Sequence, residues 1–143
     1  MSYGNLQEML EGYEIKHFDA REIARRTLPP RALWARIIPT LQVAERLRAQ
    51  DEVSYIVVSS GYRDPDHNEQ VGGAPRSLHV SFNALDIIPM RSSTERTPIH
   101  TIVKLLEKDP YYPFMGIGVY NSFVHIDTRG LFTRGARGSR WGS

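Results

Sequence analysis

Two histidines and an aspartate in this sequence have the residue types of a mononuclear metal site: His79 and Asp86 in one segment, His125 in another. Together they offer three N/O ligands, the number that catalytic zinc commonly takes while leaving its fourth position to water. The chain has no cysteine, so disulfides, thiolate zinc sites, Fe–S clusters and cysteine nucleophiles are excluded. Any metal must be held by His, Asp, Glu or backbone oxygen. The seven-residue step from His79 to Asp86 would place the pair on opposite faces of one continuous strand. The chain must therefore bend over Val80 to Asn83 if the two are to converge. On spacing alone, a histidine and an aspartate this far apart are weak evidence for a site, since a lone histidine is more often a satisfied surface or core residue.

The elements that must position these groups can be read from the pattern around them. Met115 to Tyr120 and Phe123 to Thr128 flank Asn121-Ser122, a two-residue hairpin turn. That register pairs Tyr120 with Phe123, Gly118 with His125 and Gly116 with Asp127 on one face. Val119 with Val124 and Ile117 with Ile126 share the other, apolar face. Glycines opposite His125 and Asp127 predict an open floor beside two reactive side chains, unless they serve only to relieve strand twist. Tyr55 to Val58 predicts a strand opening at Ser59-Ser60-Gly61 into a long loop, Tyr62 to Phe82, with a short helix after Pro65. Loops of that length in compact domains are more often functional than idle. Ala84 to Ile88 predicts a further strand, stopped by Pro89.

Asp19 with Glu22 forms a capping-box pattern opening a helix that should stop before Pro29-Pro30. Arg31 to Ala49 predicts a helix with a kink or break at Pro39, and Thr94 to Lys108 another. The expected class is α+β: a small, mainly antiparallel sheet from strands near 54–60, 84–88, 115–120 and 123–128, with helices on its apolar face. The metal would sit on the opposite face.

At 143 residues the chain has the size of one domain, able to bury a core without staples. A net charge of +2 is too balanced to argue for nucleic acid. The basic residues are 15 Arg and 3 Lys. This bias suits recognition of carboxylate or phosphate and equally reflects genomic composition. The longest apolar run, around Tyr55 to Val58, is far short of a membrane span. No apolar signal region follows Met1, so either the protein is not exported by that route or the signal lies outside this sequence. The expected organisation is an N-terminal extension over 1–16, a domain over 17–130 and a flexible basic tail over 131–143. That tail could hold an anionic cell wall, or simply be solvated. A monomer is expected.

A set of ordered motifs adds a specific resemblance. Ser60-Gly61-Tyr62-Arg63, Asn68, Val71-Gly72-Gly73-Ala74, Ser77-x-His79, Ala84-x-Asp86-Ile87, Gly116-x-Gly118 and Phe123-Val124-His125-Ile126-Asp127 together resemble the zinc D-Ala-D-Ala carboxypeptidase family, of the wider hedgehog/DD-peptidase fold. The match runs from about His17 to Gly130. It implies that His79, Asp86 and His125 bind one zinc ion. It further implies that Arg63 lies beside the metal, able to hold a substrate carbonyl or carboxylate, with Ser77 at the mouth of the site. The implied activity is hydrolysis of peptidoglycan stem peptides, as carboxypeptidase or endopeptidase, at the cell wall or periplasm. A phage-encoded, endolysin-like setting is compatible with it. His17, His67 and His100 match no ligand position.

Two positions depart from the family pattern. Phe82 stands where relatives usually have glycine, and a ring there is expected to narrow the cleft or to change substrate preference. Val119 and Ser122 stand where relatives carry a catalytic Glu or Asp. The remaining nearby acid is Asp127, on the same strand face as His125, as a general base or as a group orienting a ligand. The departures also leave room for an impaired module that binds peptidoglycan, or a component of a phage or secretion structure.

Overall fold

A computed structural model of the chain describes residues 3–74, 77–133 and 138–142. Its first helix, α1 (Leu6–Gly12), is capped by the Asn5 side chain accepting from the Glu8 amide, and it buries Leu6, Met9 and Leu10. These residues join the main hydrophobic cluster, so the stretch expected as an extension is part of the fold. Asp19 and Glu22 form the anticipated reciprocal capping box on α2 (Ala20–Ile23). That helix ends after one turn, well short of the proline pair. Arg31–Ile37 is a 3-10 segment, and α3 (Ile38–Arg48) starts afresh with Pro39 in its first turn. There a missing N–H removes no hydrogen bond, so Pro39 starts a helix instead of kinking one.

The sheet comprises β1 (Tyr55–Ser60), β2 (Ala84–Met90), β3 (Gly116–Val119), β4 (Val124–Asp127) and β5 (Ser139–Gly142), in the order β1-β2-β4-β3-β5. All pairings are antiparallel except β3 with β5. The β3–β4 register is the one the hairpin turn predicts, with Gly118 opposite His125 and Gly116 opposite Asp127. Leu85, Ile87, Ile117, Val124 and Ile126 form one buried apolar face, and α3 packs against β1 and β2. Between β1 and β2 lies α4 (Pro65–Gln70), capped by Asp64. Helix α5 (Ile99–Glu107) begins later than the predicted Thr94: Pro98 occupies its N-cap position in an extended conformation, and Met90 bridges Arg96. Among the described residues, no helix is long and apolar enough to cross a membrane.

Strand β5 corrects the expectation of a loose tail for Ser139–Gly142. The open edge of β3 offers unpaired backbone groups, and the segment satisfies them: Gly138 N donates to Pro113 O at 2.9 Å and Ser139 N to Met115 O at 2.9 Å. Arg140 adds hydrogen bonds to the Met115 and Tyr112 carbonyls. Arg134 and Arg137 of the expected tail lie outside the described residues.

A buried polar cluster ties α3 to both site-bearing strands. Thr40 Oγ1 donates to Asn83 O at 2.8 Å, and Asn83 Nδ2 donates to Thr128 Oγ1 and to Arg36 O, each at 3.0 Å. Asn83 immediately precedes β2 and Thr128 immediately follows β4, so these bonds fix where both strands end.

Candidate metal centre

Antiparallel pairing of β2 with β4 sets Asp86 directly opposite His125. Their side chains share the face away from the apolar core. His79 reaches the same place through the bend its spacing requires. Val80 N bonds to Ser77 O at 3.0 Å and Asn83 N to Leu78 O at 2.8 Å, which folds the chain back before β2 begins. Phe82 closes this turn at φ 57°, in the left-handed region where glycine is normally favoured. This is the physical reason glycine suits the position. The expectation that Phe82 narrows the cleft is corrected: its ring is fully buried and packs edge-on against Tyr62, 5.8 Å between centroids.

Asp86 Oδ1 lies 3.1 Å from His79 Nε2 and 3.1 Å from His125 Nδ1. One ligand atom from each of the three residues falls within 4.8 Å of the others. The outward-facing ring nitrogens are both engaged, His79 Nδ1 with Gly61 O at 2.7 Å and His125 Nε2 with Asp127 Oδ2 at 2.7 Å. Acceptors on the far nitrogens fix ring tautomer and orientation, as they do around metal-bound imidazoles. They turn the inner nitrogens, His79 Nε2 and His125 Nδ1, toward the Asp86 carboxylate, where each is placed to bind a metal or, without one, to donate to Asp86. The donor chemistry therefore fits a divalent transition metal such as zinc.

Burial by itself would raise the Asp86 carboxyl, but hydrogen bonds from His125 and His79 and the charge on both rings outweigh it and hold the group at about 2. Burial likewise works against a charged His125, yet hydrogen bonds to Asp127 and Asp86 raise it above its ordinary value. Asp127 is fully buried. Burial is again outweighed, here by hydrogen bonds from His125 and Arg129, so its carboxyl is depressed. Its oxygens are saturated: Arg129 approaches through Nε at 3.0 Å and Nη2 at 2.8 Å, while the amides of Gly116 and Arg129 donate at 3.1 and 3.0 Å. An acid so enclosed has the surroundings of an orienting group.

Arg63 stands beside the trio. Its Nη2 lies 3.5 Å from Asp86 Oδ2, Nε 3.2 Å from Ser60 Oγ and Nη1 3.4 Å from Asn68 Oδ1. A β-bulge between Val58 and Ser60 ends β1 next to Asp86 and delivers Gly61 and Arg63 to the site. Buried Asn68 holds the rim through Ala74 O at 2.7 Å. Ser77 lines the cleft while its Oγ accepts from the His79 amide at 3.2 Å. The cleft, of about 710 Å³, is lined also by Gly72, Gly73, Tyr120, Phe123, Arg129 and Trp141.

The other histidines stay apart from the cleft. His17 pairs with Glu45 at 2.6 Å, His100 is exposed, and His67 lines a separate pocket with Arg25 and Tyr62. Val119 pairs with Val124 on the core side, and Ser122 borders an apolar groove with Ile99 and Ile102. Neither position faces the three donors.

Three ordered ligand candidates at the floor of a cleft, on an α+β sheet, agree with a match of residues 16–127 to the Peptidase M15 family. The chain belongs to the peptidase M15 family. This is the zinc D-Ala-D-Ala carboxypeptidase family, and His79, Asp86 and His125 could form the metal site of an M15 zinc metallopeptidase. A search of curated proteins gave no match to the chain.

Several residues of this M15 site escape sequence reasoning. The predicted open floor is filled: Trp141 of β5 lies over Gly118, whose added Cβ would come within 2.5 Å of the indole, and its ring is 5.0 Å from that of His125. No local signal announces a contact from so far along the chain. Tyr120 and Phe123 were findable, because strand alternation places both on the face of His125.

Proposed function

We infer that this chain is a zinc metallopeptidase that hydrolyses peptide bonds of peptidoglycan stem peptides. The observation that supports this most strongly is the His79–Asp86–His125 trio with its outward nitrogens engaged and Arg63 alongside. Zinc, when bound, supplies Lewis-acid polarisation of the scissile carbonyl and a water nucleophile at neutral pH. His79, Asp86 and His125 would hold the ion. Arg63 offers a planar fork of donors to a substrate carbonyl or terminal carboxylate. Ser77, at the mouth, offers a hydroxyl to the bound peptide. Asp127 acts through His125: its saturated carboxylate supports the orienting role over that of a general base.

The decisive experiment measures metal content and wall hydrolysis together. Wild-type protein should carry zinc at one-to-one stoichiometry and release new amine termini from purified peptidoglycan, and His125→Ala should lose both. Full lytic activity without bound metal would sink the reading. A second reading, a module that binds wall peptides without cutting them, draws on one observation: among the described residues lining the cleft, Asp86 is the sole carboxylate. Zinc binding and peptidoglycan retention without product would favour that module.

A further inference from the structure

The cleft has a polar group suited to chemistry that its carboxylate inventory does not reveal. Tyr120 stands just past β3, on the face that carries Gly118, which pairs with His125. Its ring stacks on Phe123, with centroids 4.6 Å apart and planes 18° from parallel. Its hydroxyl oxygen accepts a hydrogen bond from Trp141 Nε1 at 2.7 Å. The same indole ring rests over Gly118 and against His125. The phenol is thus held from two sides, by an aromatic stack and by a hydrogen bond anchored beside the third ligand candidate.

The direction of that hydrogen bond matters. An indole N–H can only donate, so the Tyr120 oxygen is the acceptor and its own hydrogen remains to be given elsewhere. Among the described residues that hydrogen has no acceptor, while Tyr120 lines the cleft and is 39% exposed. Accepting from Trp141 also polarises the O–H and strengthens it as a donor. Other candidates for a proton-bearing or charge-stabilising group are engaged. Asp127 is enclosed by His125 and Arg129, Arg129 is paired with Asp127, and Val119 and Ser122 turn away from the site.

We propose that Tyr120 is a catalytic residue whose hydroxyl donates a hydrogen bond to the substrate carbonyl oxygen as negative charge gathers there, and that Trp141 is the positioning residue that aims it. This rests on the peptidase reading above and adds to Arg63 a second, neutral donor from the other end of the sheet. A preformed donor of this kind is worth most in the transition state, because its dipole needs no reorganisation as charge develops. It also gives β5 a role beyond closing a sheet edge, since the indole that covers Gly118 is the one that holds the phenol.

Tyr120→Phe tests the hydroxyl while keeping the ring stacked on Phe123. Zinc affinity should stay at the wild-type value, and kcat on wall peptides should fall about 100-fold with KM little changed. Calorimetry with the D-Ala-D-Ala phosphinate, whose tetrahedral anionic group replaces the amide, should show a loss of affinity of similar size in the zinc-loaded variant. Trp141→Phe should give the same pattern at about 10-fold. Phosphinate affinity unchanged in Tyr120→Phe would overturn the inference and leave the pair as a staple for β5. A zinc-loaded wild type that binds no phosphinate and cuts no wall peptide would overturn the peptidase reading, and the inference with it.

Discussion

The two imidazoles of the candidate centre face the same carboxylate from the same distance but are held in different ways. His79 sits on a turn and hands its outer nitrogen to a backbone carbonyl, that of Gly61. His125 sits on a regular strand and hands its outer nitrogen to a side chain, Asp127, which Arg129 grips in turn. One orientation is set by the path of the main chain, so only changes that move that path can reach it. The other is set by a carboxylate that a single substitution removes. A site built in both ways should show different sensitivities on its two sides.

The largest effect is expected on the backbone-held side. A Cβ at Gly61 would lie 2.2 Å from Ile23 O, where Tyr62 N already donates at 2.7 Å, so Gly61→Ala must shift the carbonyl that orients His79. Zinc affinity should fall about 100-fold or more, read by competition with a chromophoric chelator; wild-type affinity would break the contrast. Next comes the turn itself. Phe82→Ala should cost about 3 kcal/mol in urea unfolding through lost burial. Phe82→Gly should cost about 1 kcal/mol less than Ala, because φ 57° disfavours any side chain there. The reverse order would show that the conformation carries no strain.

On the side-chain-held half, Asp127→Asn should weaken zinc about 10-fold and leave the fold intact, monitored by the same titration and by circular dichroism. Unchanged zinc affinity with lost turnover would make Asp127 the proton acceptor instead. The smallest change expected is at Thr128→Val, which removes the hydroxyl shared by Thr40 and Asn83. It should cost about 1 kcal/mol in thermal or urea unfolding and leave metal stoichiometry alone.

What could be read from the sequence followed distance along the chain. The hairpin register around Asn121-Ser122 was legible because turn length and period-2 alternation are local, and with it came the shared face of His125 and Asp127. The need for a bend between His79 and Asp86 was legible for the same reason. The depth of Asp127 was not, since alternation says which face a residue is on and nothing about what covers it. Its cover, Arg129, lies past the end of β4, where alternation no longer says which way a side chain points. Trp141 and β5 were hidden by a Gly- and Arg-rich composition that forms a strand only because the edge of β3 is there to pair with. Phe82 was misplaced because the direction of its ring depends on a left-handed backbone that propensity does not encode. The break before α3 was legible as an interruption at Pro39, but its resolution into a 3-10 segment and a fresh helix depended on packing of Trp34 and Ile37 into the core.

The facing of Asp86 and His125 across β2 and β4 has a consequence for assembly. Side chains alternate along a strand, so a slip of one residue between these strands would turn one of the two donors toward the apolar layer. A mispaired sheet would therefore lack the donor trio altogether. Metal uptake during refolding would then count correctly registered molecules, and a bound ion, by binding only those, would draw the remaining population toward native pairing.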